Sequence, residues 1–420
     1  ASYLASHPHR GRFIGFLLAF MAAMLGLVVA DDLIALFVFW ELTSVTSFLL
    51  IGFKHDKAAS RRAARQALLV TGLGGLALLA GLLLLGEVAG SYRLSELPAQ
   101  AAHIQAHPLY PAIFALVALG AITKSAQFPF HFWLPNAMAA PTPVSAFLHS
   151  ATMVKAGIFL LMRFDPVLGG TPLWTLSLST VGAITMVLGA VWALRHTDLK
   201  SVLAYSTLTA LGTLTLLIGL SFELSIKAAV VFVVVHALYK AALFLVVGSV
   251  EHVTGSRDLR KLGAAVRAGM PLTFAAAVVA GLSMAGVPPL FGFIGKELTY
   301  EAKLGFSGAD VLLVAAAVAA NALTIAAAAV VVFGAFGHRG PALPRRPREV
   351  PVPMLVGPVL LAAAGLLLGV LPDRIEGLAT QAASAIANRP VSVDLALWHG
   401  PNSALLLSGV TLAIGVAAYS

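Results

Sequence analysis

The sequence predicts an all-α polytopic membrane protein with about twelve transmembrane helices. Of its 420 residues, 59% are hydrophobic and 11% are charged, whereas a soluble protein of this length needs far more charge to solvate its surface. Apolar runs long enough to cross about 30 Å of hydrocarbon recur along the whole chain. Most lysines and arginines lie in short loops between these runs, without the clustering that nucleic-acid binding requires.

Twelve runs meet the length of a membrane span. Ten of them form two sets of five, and two more follow near the C-terminus. Their approximate bounds are 12–30, 33–53, 66–87, 110–128, 143–162, 173–194, 201–221, 228–250, 271–295, 309–337, 353–371 and 404–420.

The fourth run of each set is interrupted. In the first set, prolines from Pro129 to Pro143 follow Lys124, and each proline removes a backbone donor and clashes with the preceding turn. In the second set, Pro288 and Pro289 precede Lys296. An odd number of helices inverts the second set relative to the first, and paired breaks are typical of inverted repeats in transporters. We therefore predict a first five-helix repeat at 1–165, an inverted second repeat at 166–340 and two C-terminal helices at 341–420.

Loop charges predict the orientation. With the first loop placed in the cytoplasm, the cytoplasmic ends and loops hold 17 lysines and arginines, Lys200 among them, and the outer ones hold 6, Lys303 among them. The loops 54–65, 251–267 and 338–350 carry 13 of the 17. Such an excess is typical of cytoplasmic loops.

Five ionisable residues are predicted to lie inside the membrane: Glu41, Lys124, Lys155, Lys240 and Lys296. A charge at the bilayer centre costs about 3 kcal/mol on insertion scales, so such residues are rare without a role. The pattern predicts a charge-transfer path and hence ion transport, with Lys124 as the candidate partner of Glu41. The structural alternatives are a plain ion pair and, for the lysines at the breaks, caps on freed carbonyls.

Two histidines accompany the lysines. His149 is predicted to share a helix with Lys155, six residues further on, whereas His236 and Lys240 are four residues apart and share a helix face. Because a histidine titrates near neutral pH, both are candidate relay members, although each is equally compatible with a simple hydrogen-bonded role. Neither has the spacing of a metal site. The chain has no cysteine, so we expect no metal, no cofactor and no redox centre.

Several motifs resemble one family. The segments TKSAQFPFHFWLP (123–135), APTPVSA (140–146), LHSATMVKAG (148–157) and HALYK (236–240) closely resemble the antiporter-like subunits of respiratory complex I. Within that family, WELTS (40–44) and FIGKE (293–297) look most like the A subunit of the Mrp multisubunit Na⁺/H⁺ antiporter.

The resemblance implies that Glu41 pairs with Lys124 and that the lysines at 155, 240 and 296 continue a hydrated axis along the membrane midplane. Two features depart from the complex I pattern: Phe232 stands where a second histidine is found, and an acidic residue near Gly74–Gly75 is missing. The family begins with three further helices, and the Mrp A subunit continues well beyond residue 420. We therefore expect the chain to be incomplete at both ends.

Three functions remain open from the sequence. The preferred one is a component of a secondary antiporter in the bacterial cell membrane, which exchanges cytoplasmic Na⁺ for external H⁺ together with other membrane subunits. The second is the proton-pumping arm of complex I or of a membrane-bound hydrogenase. The third is a scaffold that transports nothing, whose buried charges hold partner subunits together.

Overall fold

The computed structural model describes residues 2–5, 7–306, 311–337, 347–398 and 400–419. Helices dominate these residues, and extended pairing is limited to two isolated bridges, Asp32 with Arg93 and Asp198 with Asp258. The α-helices in chain order are α1 Arg10–Val29, α2 Leu33–Ile51, α3 Ala58–Ala89, α4 Ala101–Ala106, α5 Tyr110–Lys124, α6 Trp133–Asn136, α7 Thr142–Ser150, α8 Met153–Leu168, α9 Pro172–Ala193, α10 Leu199–Leu220, α11 Glu223–Thr254, α12 Ala264–Gly269, α13 Pro271–Ala285, α14 Phe291–Leu304, α15 Val311–Ala329, α16 Val352–Val370, α17 Asp373–Ala387 and α18 Ser403–Tyr419.

The twelve predicted spans correspond to apolar helices of the structure. Within the described residues, nine helical segments are long and apolar enough to cross a membrane, counting α7 with α8 as one segment and α15 with its π-helical continuation Val330–Gly334 as another. The shorter apolar helices α5, α13 and α18 bring the number to twelve. The all-α polytopic fold is therefore confirmed, while the division into repeats at residues 165 and 340 stays a prediction.

Both predicted breaks are present. Helix α5 ends at Lys124, and α13 ends at Ala285, where Gly286 adopts a left-handed conformation with φ of 69°. At the first break the freed backbone groups find partners: Trp133 Nε1 donates to the Thr123 carbonyl at 2.9 Å, and the Phe128 N–H donates to the Thr185 hydroxyl at 2.9 Å. Non-helical backbone at membrane depth requires such partners.

A third interruption separates α7 from α8 at Ala151 and Thr152. The Thr152 hydroxyl donates to the Phe147 carbonyl at 2.7 Å, and the Thr152 backbone leaves the helical region. A threonine side chain that competes for a helix carbonyl in this way disrupts the helix locally. The prediction that His149 and Lys155 share one continuous helix was therefore wrong.

Helix α10 lies at the centre of the bundle. Nearly all of its side chains are buried, and α8, α9, α11 and α15 all contact it. The peripheral helices instead expose apolar stripes, such as Leu69, Leu73 and Leu76 on one face of α3, which are 64%, 67% and 61% exposed. These stripes suit contact with lipid tails.

Two lysines counted with the loops are in fact buried. Lys200 lies in the first turn of α10 and Lys303 in the last turn of α14, and their side chains are 0% and 1% exposed. Placing them in loops was wrong because neighbouring helices cover both helix ends. Lys200 had been counted with the cytoplasmic loops and Lys303 with the outer ones, so removing both leaves the difference between the two counts unchanged. The orientation stays a prediction.

Labelling of single cysteines will test the orientation, because the chain has no cysteine of its own. Lys57 and Arg260 are exposed in two of the predicted cytoplasmic loops, and Arg93 is exposed in a predicted outer loop. Most of the third predicted cytoplasmic loop, 338–350, lies outside the described residues. In intact cells, a membrane-impermeant maleimide is expected to modify Arg93→Cys and to spare Lys57→Cys and Arg260→Cys. Modification of either cytoplasmic site in intact cells would overturn the topology.

Candidate functional site

Lys124, at the end of α5, contacts the part of α2 that carries Glu41. The two side chains interact electrostatically, but no direct ion pair joins them among the described residues. Lys124 is fully buried, and its Nζ donates to the Trp40 carbonyl at 2.9 Å and to Ser44 Oγ at 2.6 Å. The ammonium also lies 4.7 Å from the centroid of the Trp40 ring. Oε1 of Glu41 is buried and has no hydrogen-bond partner among the described residues. The lysine thus docks on the residues that flank Glu41 instead of capping the carbonyls freed at its own helix end.

Lys155 and His149 lie on opposite sides of the third break. Lys155 stands in the first turn of α8, and its Nζ donates to the Val233 carbonyl of α11 at 2.7 Å. His149, near the end of α7, is fully buried beside Trp133, with ring centroids 6.3 Å apart. Neither of its ring nitrogens has a hydrogen-bond partner in the described part of the chain.

His236 stands between two lysines. It lies on α11 one turn before Lys240, close to the Ser150 backbone at the third break, and within electrostatic reach of both Lys155 and Lys240. Its ring nitrogens also lack hydrogen-bond partners among the residues described. The structure therefore brings together three of the predicted residues, from α8 and α11.

Lys240 connects α11 to α10 and to the second break. Its Nζ donates to Ser206 Oγ of α10 at 2.6 Å and lies 3.8 Å from Met284 Sδ near the end of α13. Ser206 in turn lines a small internal cavity that Lys296 of α14 also lines. The side chain of Lys296 passes over Gly286, the left-handed residue of that break.

The cavity near Lys240 and Lys296 has a volume of about 30 Å³, and its lining combines apolar side chains with polar ones. That is room for about two water molecules, since one needs roughly 10–15 Å³. Several hydroxyl and amide groups that can hold water line it: Ser206, Thr209, Thr213, Ser283, Thr299, Asn321 and Thr324. A short water-filled connection between the two lysines is therefore sterically possible.

Lys200 is a buried residue that the sequence interpretation missed. Its Nζ donates to the Ala140 carbonyl, in the segment that follows the first break, at 2.7 Å. Glu251 lies nearby, accepts from Thr142 Oγ1 at 2.6 Å and pairs with Arg257 at 3.6 Å. Asp198 caps α10 by accepting from the Ser201 N–H; this capping signal was available and would have placed Lys200 inside the helix.

Lys303 is the second buried residue that was missed. It follows Lys296 by seven residues, so both lie on one face of α14, a spacing that the sequence already contained. Its Nζ has no hydrogen-bond partner in the part of the chain described and lies 5.9 Å from the Tyr300 ring centroid. The Tyr300 hydroxyl is 2.6 Å from Thr411 Oγ1, and Ser408 donates to Glu297, so α18 completes the polar cluster at this end of α14.

Comparison with known families identifies the chain. The family model described as NADH:quinone oxidoreductase/Mrp antiporter, TM, matches residues 30–324, which include all five predicted intramembrane charges. The chain belongs to this family.

Among its relatives are antiporter subunits of bacteria. The chain is 45% identical over 423 residues to the A/B subunit of a probable K(+)/H(+) antiporter of Rhizobium meliloti (strain 1021), covering 99% of this chain and 42% of that protein. It is 39% identical over 446 residues to the A subunit of the Na(+)/H(+) antiporter of Bacillus subtilis (strain 168), covering 99% of this chain and 56% of the relative. It thus spans about half the length of these relatives.

A solved structure has the same fold. A chain in the structure of the Mrp complex from Dietzia sp. DQ12-45-1b superposes with a TM-score of 0.90 at 40% identity, over 99% of this chain and 45% of that one. The resemblance to the Mrp A subunit is thereby confirmed. The expectation of a multi-pass protein of the bacterial cell membrane, in a family that includes antiporter subunits, is also confirmed.

The structure also explains one departure from the complex I members of the family. Gly74 and Gly75 lie on the face of α3 that packs against α2 and α5. A Cβ at Gly75 would overlap the Glu41 carboxylate, and one at Gly74 would overlap the Thr123 side chain. Two glycines here allow α3 to approach Glu41 closely, so a larger side chain at either position would displace Glu41 or Thr123 from its present place.

Metal ligation has little support from the geometry. The described residues contain no group of three or more histidine, aspartate and glutamate side chains placed to hold a metal ion. The candidate site consists instead of ammonium groups facing carbonyl and hydroxyl oxygens of neighbouring helices.

Proposed function

We propose that this chain is the proton-translocating part of the A subunit of an Mrp-type antiporter, which exchanges a cytoplasmic alkali cation for external H⁺. The observation that carries the proposal is the row of buried lysines, in which Lys124, Lys155 and Lys240 each reach a carbonyl or hydroxyl of a neighbouring helix. The relatives named as Na(+)/H(+) and K(+)/H(+) antiporter subunits support the reaction class.

In the proposed relay, a proton moves between neighbouring side chains of the row. A charged lysine offers three donors and no acceptor, so it passes a proton only to a neighbour with a free acceptor, such as a neutral lysine, a neutral histidine, a water molecule or a carboxylate. His236, between Lys155 and Lys240, and the cavity between Lys240 and Lys296 provide the intermediate positions. Glu41 sets the charge balance at one end, because an anion close to Lys124 favours its charged form.

We propose that the alkali cation takes a separate route. A hard cation prefers several oxygen ligands, whereas the charged forms of Lys240 and Lys296 repel it from the cavity that Lys296 and Ser206 line. Carboxylates are few along the row: Glu251 lies near one end of α11, and Glu297 is held by Ser408. The route is therefore expected in another subunit or elsewhere in the protein.

A redox-driven pump is the second candidate, since the family includes NADH:quinone oxidoreductase subunits. The antiporter relatives, which match 99% of this chain, favour exchange over redox coupling. The neighbouring genes distinguish the two functions. Genes for small Mrp subunits support the antiporter, and genes for quinone-binding or iron–sulfur subunits support the pump.

Reconstitution tests the proposed function and the need for partners. Proteoliposomes that contain the complete complex are given a pH gradient, and Na⁺ or K⁺ is then added. We expect the cation to dissipate the gradient with the complete complex and to have no effect with this polypeptide alone. Exchange by the isolated polypeptide would refute the need for partners, and a complete complex that shows no cation-dependent proton movement would refute the antiporter.

A further inference from the structure

A groove of about 400 Å³ opens between α1, α2 and α3, at the end of the bundle predicted to be cytoplasmic. Its wall is largely apolar and aromatic, with Phe16, Phe48, Leu49, Phe53 and Ala64. Its rim carries three arginines and a histidine: Arg12, Arg61, Arg65 and His55. An apolar slot under a cationic rim is the form expected of a site for an amphiphilic anion.

The rim arginines have no carboxylate partner in the described part of the chain. Arg12 lies 5.3 Å from the Phe53 ring centroid, with Nη2 3.4 Å from Nδ1 of His55. Arg61 Nη1 donates to the backbone carbonyls of His55 and Asp56, at 2.6 and 3.0 Å. These contacts aim two guanidinium groups at the groove and leave their charge uncompensated.

Charge in the surrounding sequence has the same sign. The segments 10–12 and 54–65 contain seven lysines and arginines and one acidic residue, Asp56. All lie at the same ends of α1, α2 and α3, where the helices meet the predicted membrane surface. Phe16 is one helical turn, or about 6 Å, from Arg12 along α1, so on this helix the apolar side chain lies on the hydrocarbon side of the basic one.

We propose that this groove binds an anionic phospholipid. The phosphate accepts hydrogen bonds from the guanidinium groups of Arg12, Arg61 and Arg65, whose planar donors suit phosphate oxygens. One acyl chain lies in the groove against Phe16 and Phe48. Basic pockets between transmembrane helices on the cytoplasmic side attract anionic head groups. The head group of phosphatidylcholine carries no net charge, because its choline cation offsets the phosphate, so the same rim attracts it less. The proposal is independent of the transported ion.

Native mass spectrometry of the purified protein, with the subunits that co-purify, tests the proposal. The probes are dioleoylphosphatidylglycerol and dioleoylphosphatidylcholine, which have identical acyl chains. The wild type is expected to bind the anionic lipid at least tenfold more tightly, because each cationic side chain near an anionic head group adds to the attraction. The triple variant Arg12→Gln/Arg61→Gln/Arg65→Gln is expected to lose that preference.

A matched control removes the same charge from the same surface. Arg10, Lys57 and Arg62 are exposed and do not line the groove, so Arg10→Gln/Lys57→Gln/Arg62→Gln is expected to keep the preference. Glycerophosphoglycerol, the head group without acyl chains, is expected not to compete at equal concentration. The proposed lipid site would be contradicted if the wild type bound the two lipids equally, or if both triple variants lost the preference for the anionic lipid to the same extent. Competition by the head group alone, or release of a co-purifying subunit from the groove variant with lipid binding unchanged, would also contradict it.

Discussion

Lys240→Ala is expected to stop proton movement through the complex while binding of the alkali cation is retained. The Lys240 ammonium donates to Ser206, which lines the cavity that Lys296 also lines, and His236 lies one turn away on the same helix. Alanine removes the only group of that side chain that can carry a proton. Loss of a positioned proton-transfer group lowers rates by about 100-fold or more, and we expect a reduction of at least that order. Lys155→Ala and Lys296→Ala are expected to act in the same direction.

Two further variants separate a relay from a structural cation. Lys240→Arg keeps the positive charge but does not release a proton at physiological pH, so it is expected to fail like alanine. Lys227→Ala removes a half-buried lysine from the first turns of the same helix, where it pairs with Glu223 at 2.8 Å, and is expected to leave exchange unchanged.

Proton flux and binding of radioactive sodium are measured separately on the same preparation. Loss of sodium binding with proton movement intact would contradict the relay assignment. Full activity of Lys240→Arg would instead identify Lys240 as a structural cation.

Glu41→Ala is expected to abolish exchange while the complex still assembles. The Glu41 carboxylate is the anion nearest in sequence to the Trp40 and Ser44 contacts of Lys124, and α3 packs directly against it at Gly75. Removing it leaves a buried ammonium without the neighbouring negative charge, and such uncompensated charges are strongly unfavourable. Lys124 is then expected to stay neutral and to cease taking part in the relay.

The graded variants make this prediction specific. Glu41→Asp keeps the charge with a shorter reach and is expected to be milder than alanine. Glu87→Ala removes an exposed carboxylate from the neighbouring helix α3 and is expected to have no effect. Exchange in everted vesicles is measured together with the amount of assembled complex. Near-normal exchange by Glu41→Ala would show that the pair is merely structural.

Some features of the site were predictable because their cause is local. Five charges stand within apolar runs, and the cost of burying a charge in a membrane holds whatever the neighbouring helices are. His236 and Lys240 were placed on one face by their spacing alone, and the structure has them there. By contrast, the interruption at Thr152 arises from one side-chain hydrogen bond within an otherwise apolar helix, and no proline or glycine marks it.

The number and type of the membrane helices, and the place of two breaks, follow from the amino-acid order alone. Those properties depend on a short stretch of chain: apolar length decides whether a segment spans the bilayer, and proline decides where a helix stops. Packing was needed to bury Lys200 and Lys303, to dock Lys124 on the residues around Glu41, and to gather arginines from α1 and α3 around one groove. Each of these depends on which helix covers the end of another, and that is settled by contacts between segments far apart in the chain.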